Sequence, residues 1–293
     1  MTLPATALDN LRRGRPEWRP WLAVVEEALR ETTASKWESA VPDPCATRAA
    51  TDPLLAGTTI TVQGRSIRRL LHRVIRLASS NDTPKMASLR PVTRADVDIP
   101  ALFAASLRQD DGPVAGLARS AGADAEALQA VVSLVSMPFL HACRRRWTSV
   151  VPPGWVEGYC PVCGSWPAFV EDRGIERSRF FRCGRCGGEW YARLLQCPFC
   201  AVSDHDELVS LVPESGAGHA ALEACRRCLG YVKVFTKLQG CAPAAVILED
   251  LASVHLDVAA VAAGYRRPAG AGSALEITVG DQGATRGLFA WNT

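Results

Sequence analysis

The chain has 293 residues, 48% of them hydrophobic, and its 33 basic and 30 acidic side chains leave a formal charge of +3. That length suits two domains or more with at least one apolar core, and the charge is too small to mark a nucleic-acid binder by itself. No run approaches the ~18 apolar residues of a membrane helix, and Met1 to Arg13 carries no apolar signal core. A cytoplasmic protein without membrane insertion is therefore expected.

Residues 1 to about 150 read as helical. Trp18, Trp21, Leu22, Val25 and Leu29 recur at the helical period, and Pro42 and Pro44 stop the segment. A second helix is predicted from Gly64 to Ser79, with Ile67, Leu70, Leu71, Val74, Ile75 and Ala78 on one face. Arg65, Arg68, Arg69, Arg73 and Arg76 lie opposite and suit a solvated face better than a phosphate site. Asp82 to Pro100 is a Pro-rich polar connector. A short helix over Ala101 to Gln109 follows, then one capped by Asp124 with Leu128, Val131, Val132, Val135 and Phe139 on its apolar face. Pro138 should kink or restart that helix. Cys45 has no partner pair and reads as a lone buried or idle thiol, and Cys143 with His141 two residues before it has no third group to support a nucleophile. Val151-Pro152-Pro153-Gly154 is the clearest domain boundary.

Eight cysteines then fall as four C-x-x-C pairs: Cys160/Cys163, Cys183/Cys186, Cys197/Cys200 and Cys225/Cys228. Each pair puts two sulfurs on one tight turn, and two turns close the sulfur tetrahedron preferred by zinc or rubredoxin-type iron. Disulfides do not suit a cytosolic chain, and a thioredoxin-like motif would explain one pair, not four. Two four-cysteine sites are expected. Consecutive pairing gives two ribbon-like units, whereas interleaved pairing gives a cross-braced module with 33 and 38 intervening residues. The hairpin signals favour the former: Ala168–Glu171 and Arg179–Arg182 flank Asp172-Arg173-Gly174, and Glu207–Val212 and Ala220–Ala224 flank a Gly-rich stretch, Glu214 to Gly218. Arg182, Arg185, Arg226 and Arg227 adjoin the ligands and would offset thiolate charge.

Beyond Cys228, Tyr231–Phe235 alternates like a strand, and Ala244–Leu248 reads as a second, more buried one. Cys241 lies between them as a leftover thiol. Leu251, Val254, Val258 and Val261 mark a helix closed by Gly264 and Pro268. From Ala269 the tail is Gly/Ala-rich and reads as loosely held, with Leu288, Phe289 and Trp291 as docking candidates.

The motifs CPVCGSWP, CGGEW followed by LLQCPFC, EACRRCLGYVK and LEDLASVHLDVAAVAAGY, spread over Gly158 to Arg267, resemble the FdhE family of formate dehydrogenase accessory proteins. The resemblance implies a helical domain followed by two rubredoxin-like modules that assist maturation of respiratory formate dehydrogenases. It implies binding to the catalytic subunit in the cytoplasm, and two bound metal ions, with iron favoured and zinc the alternative. The family's ligands map onto Cys160, Cys163, Cys183, Cys186, Cys197, Cys200, Cys225 and Cys228. Its Glu-Trp and paired acids map onto Glu189-Trp190 and Glu249-Asp250.

The expected architecture is multidomain α+β: an all-α domain over 1–152, a first four-cysteine module over 153–194, a second over 195–268 and the tail over 269–293. The expected function is a non-catalytic maturation factor with no catalytic residues. No phosphate loop or Ser/His/Asp spacing stands in the sequence, and the five histidines are scattered. Glu249 and Asp250, being adjacent, project differently and suit a solvent- or partner-facing role. The competing readings are a rubredoxin-like electron carrier and a nucleic-acid-binding zinc ribbon. A homodimer is left open.

Overall fold

The computed structural model describes residues 5–80, 83–212 and 220–282. The described residues divide into two compact units, one drawn from 12–48, 55–146 and 275–282, the other from 5–11, 49–54 and 147–274. The helices are α1 (Ala5–Gly14), α2 (Arg19–Glu31), α3 (Gly64–Ser79), α4 (Pro84–Ala87), α5 (Ile99–Arg108), α6 (Asp111–Ala121), α7 (Ala125–Val135), α8 (Met137–Trp147), α9 (Val246–Ala252) and α10 (Val254–Ala262). The strands are β1 (Thr59–Val62), β2 (Phe169–Arg173), β3 (Ser178–Arg182), β4 (Glu189–Tyr191), β5 (Leu208–Leu211), β6 (Ala220–Cys225), β7 (Tyr231–Lys237) and β8 (Thr278–Asp281).

In the first unit the predicted apolar stripe of α3, Ile67, Leu70, Leu71, Val74, Ile75 and Ala78, is buried throughout. Of its arginines, Arg73 reaches Glu27 and Glu31 on α2 at 2.7 and 2.6 Å, and Arg68 donates to the Val97 carbonyl. Asp98, Asp110 and Asp124 each accept a backbone N–H at the start of α5, α6 and α7, the donor that a helix terminus otherwise leaves unpaired. The helix restarts after Ser136, with Pro138 in the first turn of α8, where its missing N–H costs nothing. The run Ala125–Val150 is, contrary to expectation, long and apolar enough to cross a membrane, but 78% of its apolar window is buried inside the protein, as in a core helix.

The sequence did not foresee β1 and β8. They pair in parallel, Thr59 with Thr278 through Val62 with Asp281, burying Ile60 and Val62. Asp281 also accepts the Gly64 N–H at 3.1 Å, and Arg108 donates to the carbonyls of Leu275 and Ile277. Part of the expected tail is thus a strand, while Leu288, Phe289 and Trp291 lie outside the described residues.

The second unit is built on one six-stranded sheet in the order β4-β3-β2-β7-β6-β5. Three strands come from each cysteine module, and the halves join through β2 and β7, which run parallel with Phe169 opposite Lys233. Both predicted hairpins form; the Gly-rich stretch between β5 and β6 lies outside the described residues. Alternation along the strands puts Phe169, Glu171, Arg182, Tyr231, Lys233 and Lys237 on one face. On that face Leu222, Ala224 and Tyr231 pack with Leu256 and Ala260 of α10, and Val246 of α9 packs with Phe169.

Two expectations fail here. Ala244–Leu248 is not a strand: Pro243 opens a 3-10 turn that runs into α9, since proline presets a helical φ and alanines and leucine follow it. The helical stripe through Val254, Val258 and Val261 is not the buried one either. Val258 and Val261 are more than 60% exposed, and Leu256 and Ala260 face inward. The break at Ser253, with φ −104° and ψ 19°, resets the helical phase between α9 and α10.

The covered sheet face carries charge as well as apolar area. Glu171 and Arg182, both essentially inaccessible, pair at 2.8 Å, and Arg173 and the Cys241 N–H also reach Glu171. Against a burial that would raise it, these donors hold the Glu171 carboxyl down at about 2. Lys233, fully buried, meets Asp250 at 2.6 Å and Asp257 at 2.9 Å, and Arg267 pairs with the same two acids. Glu249 pairs with Lys237. Glu249 and Asp250 are therefore internal ion-pair partners, not the solvent- or partner-facing acids expected. Removing one partner of a buried pair leaves the other uncompensated, so Glu171→Gln should cost about 3 kcal/mol or more. Glu249→Gln, at the rim, should cost about 1 kcal/mol or less. Urea denaturation of both variants checks the contrast.

Candidate metal centres

Each C-x-x-C pair closes one turn, and the four turns are built alike. The N–H of the first cysteine donates to the carbonyl five residues on: Cys160 to Ser165, Cys183 to Gly188, Cys197 to Val202 and Cys225 to Gly230, at 2.8–2.9 Å. In three of them the residue after the second cysteine donates back to the first, as Gly164 to Cys160, Gly187 to Cys183 and Ala201 to Cys197. Closing such a turn puts the residue after the second cysteine in the left-handed region, with φ of 69° at Gly164, 70° at Gly187, 59° at Ala201 and 58° at Leu229. The turn leaves backbone N–H groups beside sulfur: Cys186 N to Cys183 Sγ at 3.5 Å, Gly188 N to Cys186 Sγ at 3.4 Å and Gly230 N to Cys228 Sγ at 3.4 Å.

The turns meet as consecutive pairs. Cys160, Cys163, Cys183 and Cys186 form one cluster and Cys197, Cys200, Cys225 and Cys228 another, with all four sulfurs of each within 4.8 Å of one another. Outer meets outer and inner meets inner in both: Cys160–Cys186 at 3.5 Å and Cys163–Cys183 at 3.6 Å, then Cys197–Cys228 at 3.6 Å and Cys200–Cys225 at 3.7 Å. None of the cysteines is in a disulfide. A metal–sulfur bond of about 2.3 Å sets the edge of a regular sulfur tetrahedron at about 3.8 Å, so both clusters fit a four-thiolate ion. Burial pushes the Cys160 thiol well above its usual range, and hydrogen bonds from Cys160, Cys183 and Cys186 hold Cys163 well below. Four buried sulfurs this close cannot all ionise without a cation among them. Zinc and iron accept the same donor set.

The expected arginines divide. Arg185 donates to Ser165 Oγ at 3.4 Å, and that hydroxyl lies 3.3 Å from Cys163 Sγ, so Arg185 does border the first centre. Arg182 donates at 3.5 Å to the Gly187 carbonyl of the first centre's second turn, but its closer partners are Glu171 and the Cys241 carbonyl, and Arg226 turns to the Asp206 carbonyl. Ser165 and the left-handed Ala201 and Leu229 were not anticipated. Only the glycines after the first two pairs signal that conformation in the sequence.

Among the described residues, two further groupings carry metal-ligating atoms. Glu171, Cys241 and Glu249 come together, but the two carboxylates are already met by Arg182, Arg173 and Lys237. Burial pushes the Cys241 thiol up to about 12, the state of an unreactive thiol. Asp204, His205 and Asp206 are sequence neighbours on an exposed turn.

The left-handed positions make a test. A Cβ on Gly187 would lie 2.5 Å from the Pro243 carbonyl oxygen, on a backbone that L residues avoid. Gly187→Ala should destabilise the protein by about 2 kcal/mol or more, whereas Ala201→Gly should be neutral or gain up to about 1 kcal/mol. Chemical denaturation of the metal-loaded proteins reads both signs.

No protein-family model matches the chain. Curated relatives match part of it. Protein FdhE homolog of Aquifex aeolicus (strain VF5) is 34% identical over 114 residues, 38% of this chain and 40% of the relative. Protein FdhE of Escherichia coli O127:H6 is 35% identical over 111 residues, 37% of this chain and 35% of that protein. Protein FdhE homolog of Pectobacterium atrosepticum is 35% identical over 117 residues, covering 39% and 37%. The chain thus matches about two fifths or less of each relative's length. The crystal structure of the FdhE protein from Pseudomonas aeruginosa shares the fold, with a TM-score of 0.54 and 20% identity over 90% of this chain and 92% of that one. Over about two fifths of its length the chain is thus similar to FdhE proteins, and along nine-tenths of it the fold is that of one of them.

Proposed function

We propose that this protein is a non-catalytic accessory factor that binds the catalytic subunit of a formate dehydrogenase in the cytoplasm during its maturation. Two four-cysteine centres, built from Cys160, Cys163, Cys183 and Cys186 and from Cys197, Cys200, Cys225 and Cys228, each hold one metal ion. The observation that carries this reading is the meeting of four sulfurs at tetrahedral spacing, twice, in modules of the same construction. The ions are iron by the family resemblance, with zinc as the chemical alternative. Their part is to hold turns and strands in place, and the work of the protein is binding. The acid–base groups of the cysteine unit support a structural role: Glu171, Asp250 and Asp257 are each engaged by cationic side chains of the same sheet or its covering segments.

The aromatic residues at the surface refine where a partner would touch. Trp190 is buried against Phe181 and donates to the Glu157 carbonyl, so it is a core residue. Trp166 is only partly buried and is the better contact candidate.

Elemental analysis of protein purified without air or chelator should find two metal ions per chain. Replacing Cys45, Cys143 and Cys241 together should leave both, and Cys163→Ser should remove at least one. A visible thiolate-to-iron absorption separates iron from zinc.

The function itself is tested by capture. The purified protein should show no formate oxidation and should retain the molybdenum- or tungsten-containing catalytic subunit from lysate. A Cys160→Ser/Cys163→Ser variant should lose that retention. Fully active formate dehydrogenase in cells lacking the protein, or retention of nucleic acid in place of the subunit, would overturn the reading.

A further inference from the structure

We infer that the two centres differ in kinetic character: the Cys197/Cys200/Cys225/Cys228 centre exchanges its ion with soluble ligands, and the Cys160/Cys163/Cys183/Cys186 centre retains its own. This rests on the reading that both hold a metal, and three independent observations separate them.

The first is access. All four cysteines of the first centre are completely buried. In the second centre Cys197 and Cys225 are buried, but Cys200 and Cys228 are only half-buried. A ligand that takes an ion from four thiolates must reach the ion or a sulfur, and each thiolate left behind must take a proton from water. Both need an open path, which the second centre has.

The second is turn strain. The left-handed residues that close the first centre's turns are Gly164 and Gly187, for which that conformation is free of steric cost. The corresponding residues of the second centre are Ala201 and Leu229, whose Cβ atoms oppose it. Its turns are held closed against a local preference to open, so thiolates leave the ion more readily.

The third is a receiving cavity. A cleft of about 480 Å³ is lined by Cys197 and Cys200, with Tyr159, Trp166, Phe199 and Arg193 around it. That volume admits a small chelating molecule. The first centre's cysteines line neither this cleft nor the apolar one beside Leu194, Leu195 and Cys225. The ligand class is a soft, thiol- or nitrogen-bearing chelator of divalent ions.

The test uses the full chain loaded with zinc to two ions, verified by elemental analysis. Excess colorimetric chelator is added, release is followed by absorbance, and samples are quenched with iodoacetamide for peptide mapping. One ion should leave roughly tenfold faster than the other. The fast phase should coincide with alkylation at Cys197, Cys200, Cys225 and Cys228, while Cys160, Cys163, Cys183 and Cys186 label only in the slow phase. An Ala201→Gly/Leu229→Gly variant should slow the fast phase and leave the slow one unchanged. Equal release rates, or first labelling at the Cys160 cluster, would overturn the asymmetry while leaving the two-metal reading intact. Fewer than two ions in the loaded chain would overturn both.

Discussion

Four thiolates brought within a few ångströms of one another in a buried site repel, and only a cation among them makes the arrangement stable. That constraint organises the cysteine unit. The second ligand turn of each centre sits at strand ends: Cys183 directly follows β3, Cys225 ends β6, and β4 and β7 begin three residues after Cys186 and Cys228. Holding two turns to one point therefore sets which strands lie side by side and in what register. A structural four-cysteine site contributes on the order of 10 kcal/mol to folding, comparable with the whole stability of an ordinary domain. The short strands of each half could not supply that alone.

The parallel pairing of β2 with β7 makes the two modules one object. Each half has three strands, and the joint puts Glu171 of one half beside Phe235 of the other in a continuous sheet. Arg179 on β3 reaches across to Glu223 on β6 with two hydrogen bonds, at 2.8 and 2.9 Å, tying the halves a second time. The charged network beneath α9 and α10 has the same effect, because Glu171 from the first half meets Lys237 from the second.

Much of this was legible because the signals are local. The C-x-x-C pairs gave both clusters, the Asp172-Arg173-Gly174 turn gave the first hairpin, and the apolar stripe of α3 gave its buried face. The failures lie where tertiary partners decide. Thr59–Val62 pairs with Thr278–Asp281 across more than two hundred residues, and nothing near either segment announces the other. Ala244–Leu248 has apolar runs that suit strand or helix, and Pro243 settles the choice only once the preceding turn is known. Glu249 and Asp250 looked free because Lys237, Lys233 and Arg267 are distant in sequence and adjacent only in the fold.

The same division explains why the fold is shared with the Pseudomonas aeruginosa protein at only 20% identity. A helical core requires apolar side chains at the right period and total volume, and many sequences satisfy it. Metal turns are narrower in what they accept, because two sulfurs, a reversed N–H and a left-handed residue must coincide within six positions. Within that narrow set the chain still varies one element, the left-handed residue, which is glycine after Cys163 and Cys186 but Ala201 and Leu229 after the other two pairs. Ligand identity sets whether a centre can bind a metal, and this neighbouring position adjusts how firmly the turn holds it. The two modules thus share a fold and a donor set while differing in the feature that governs metal release.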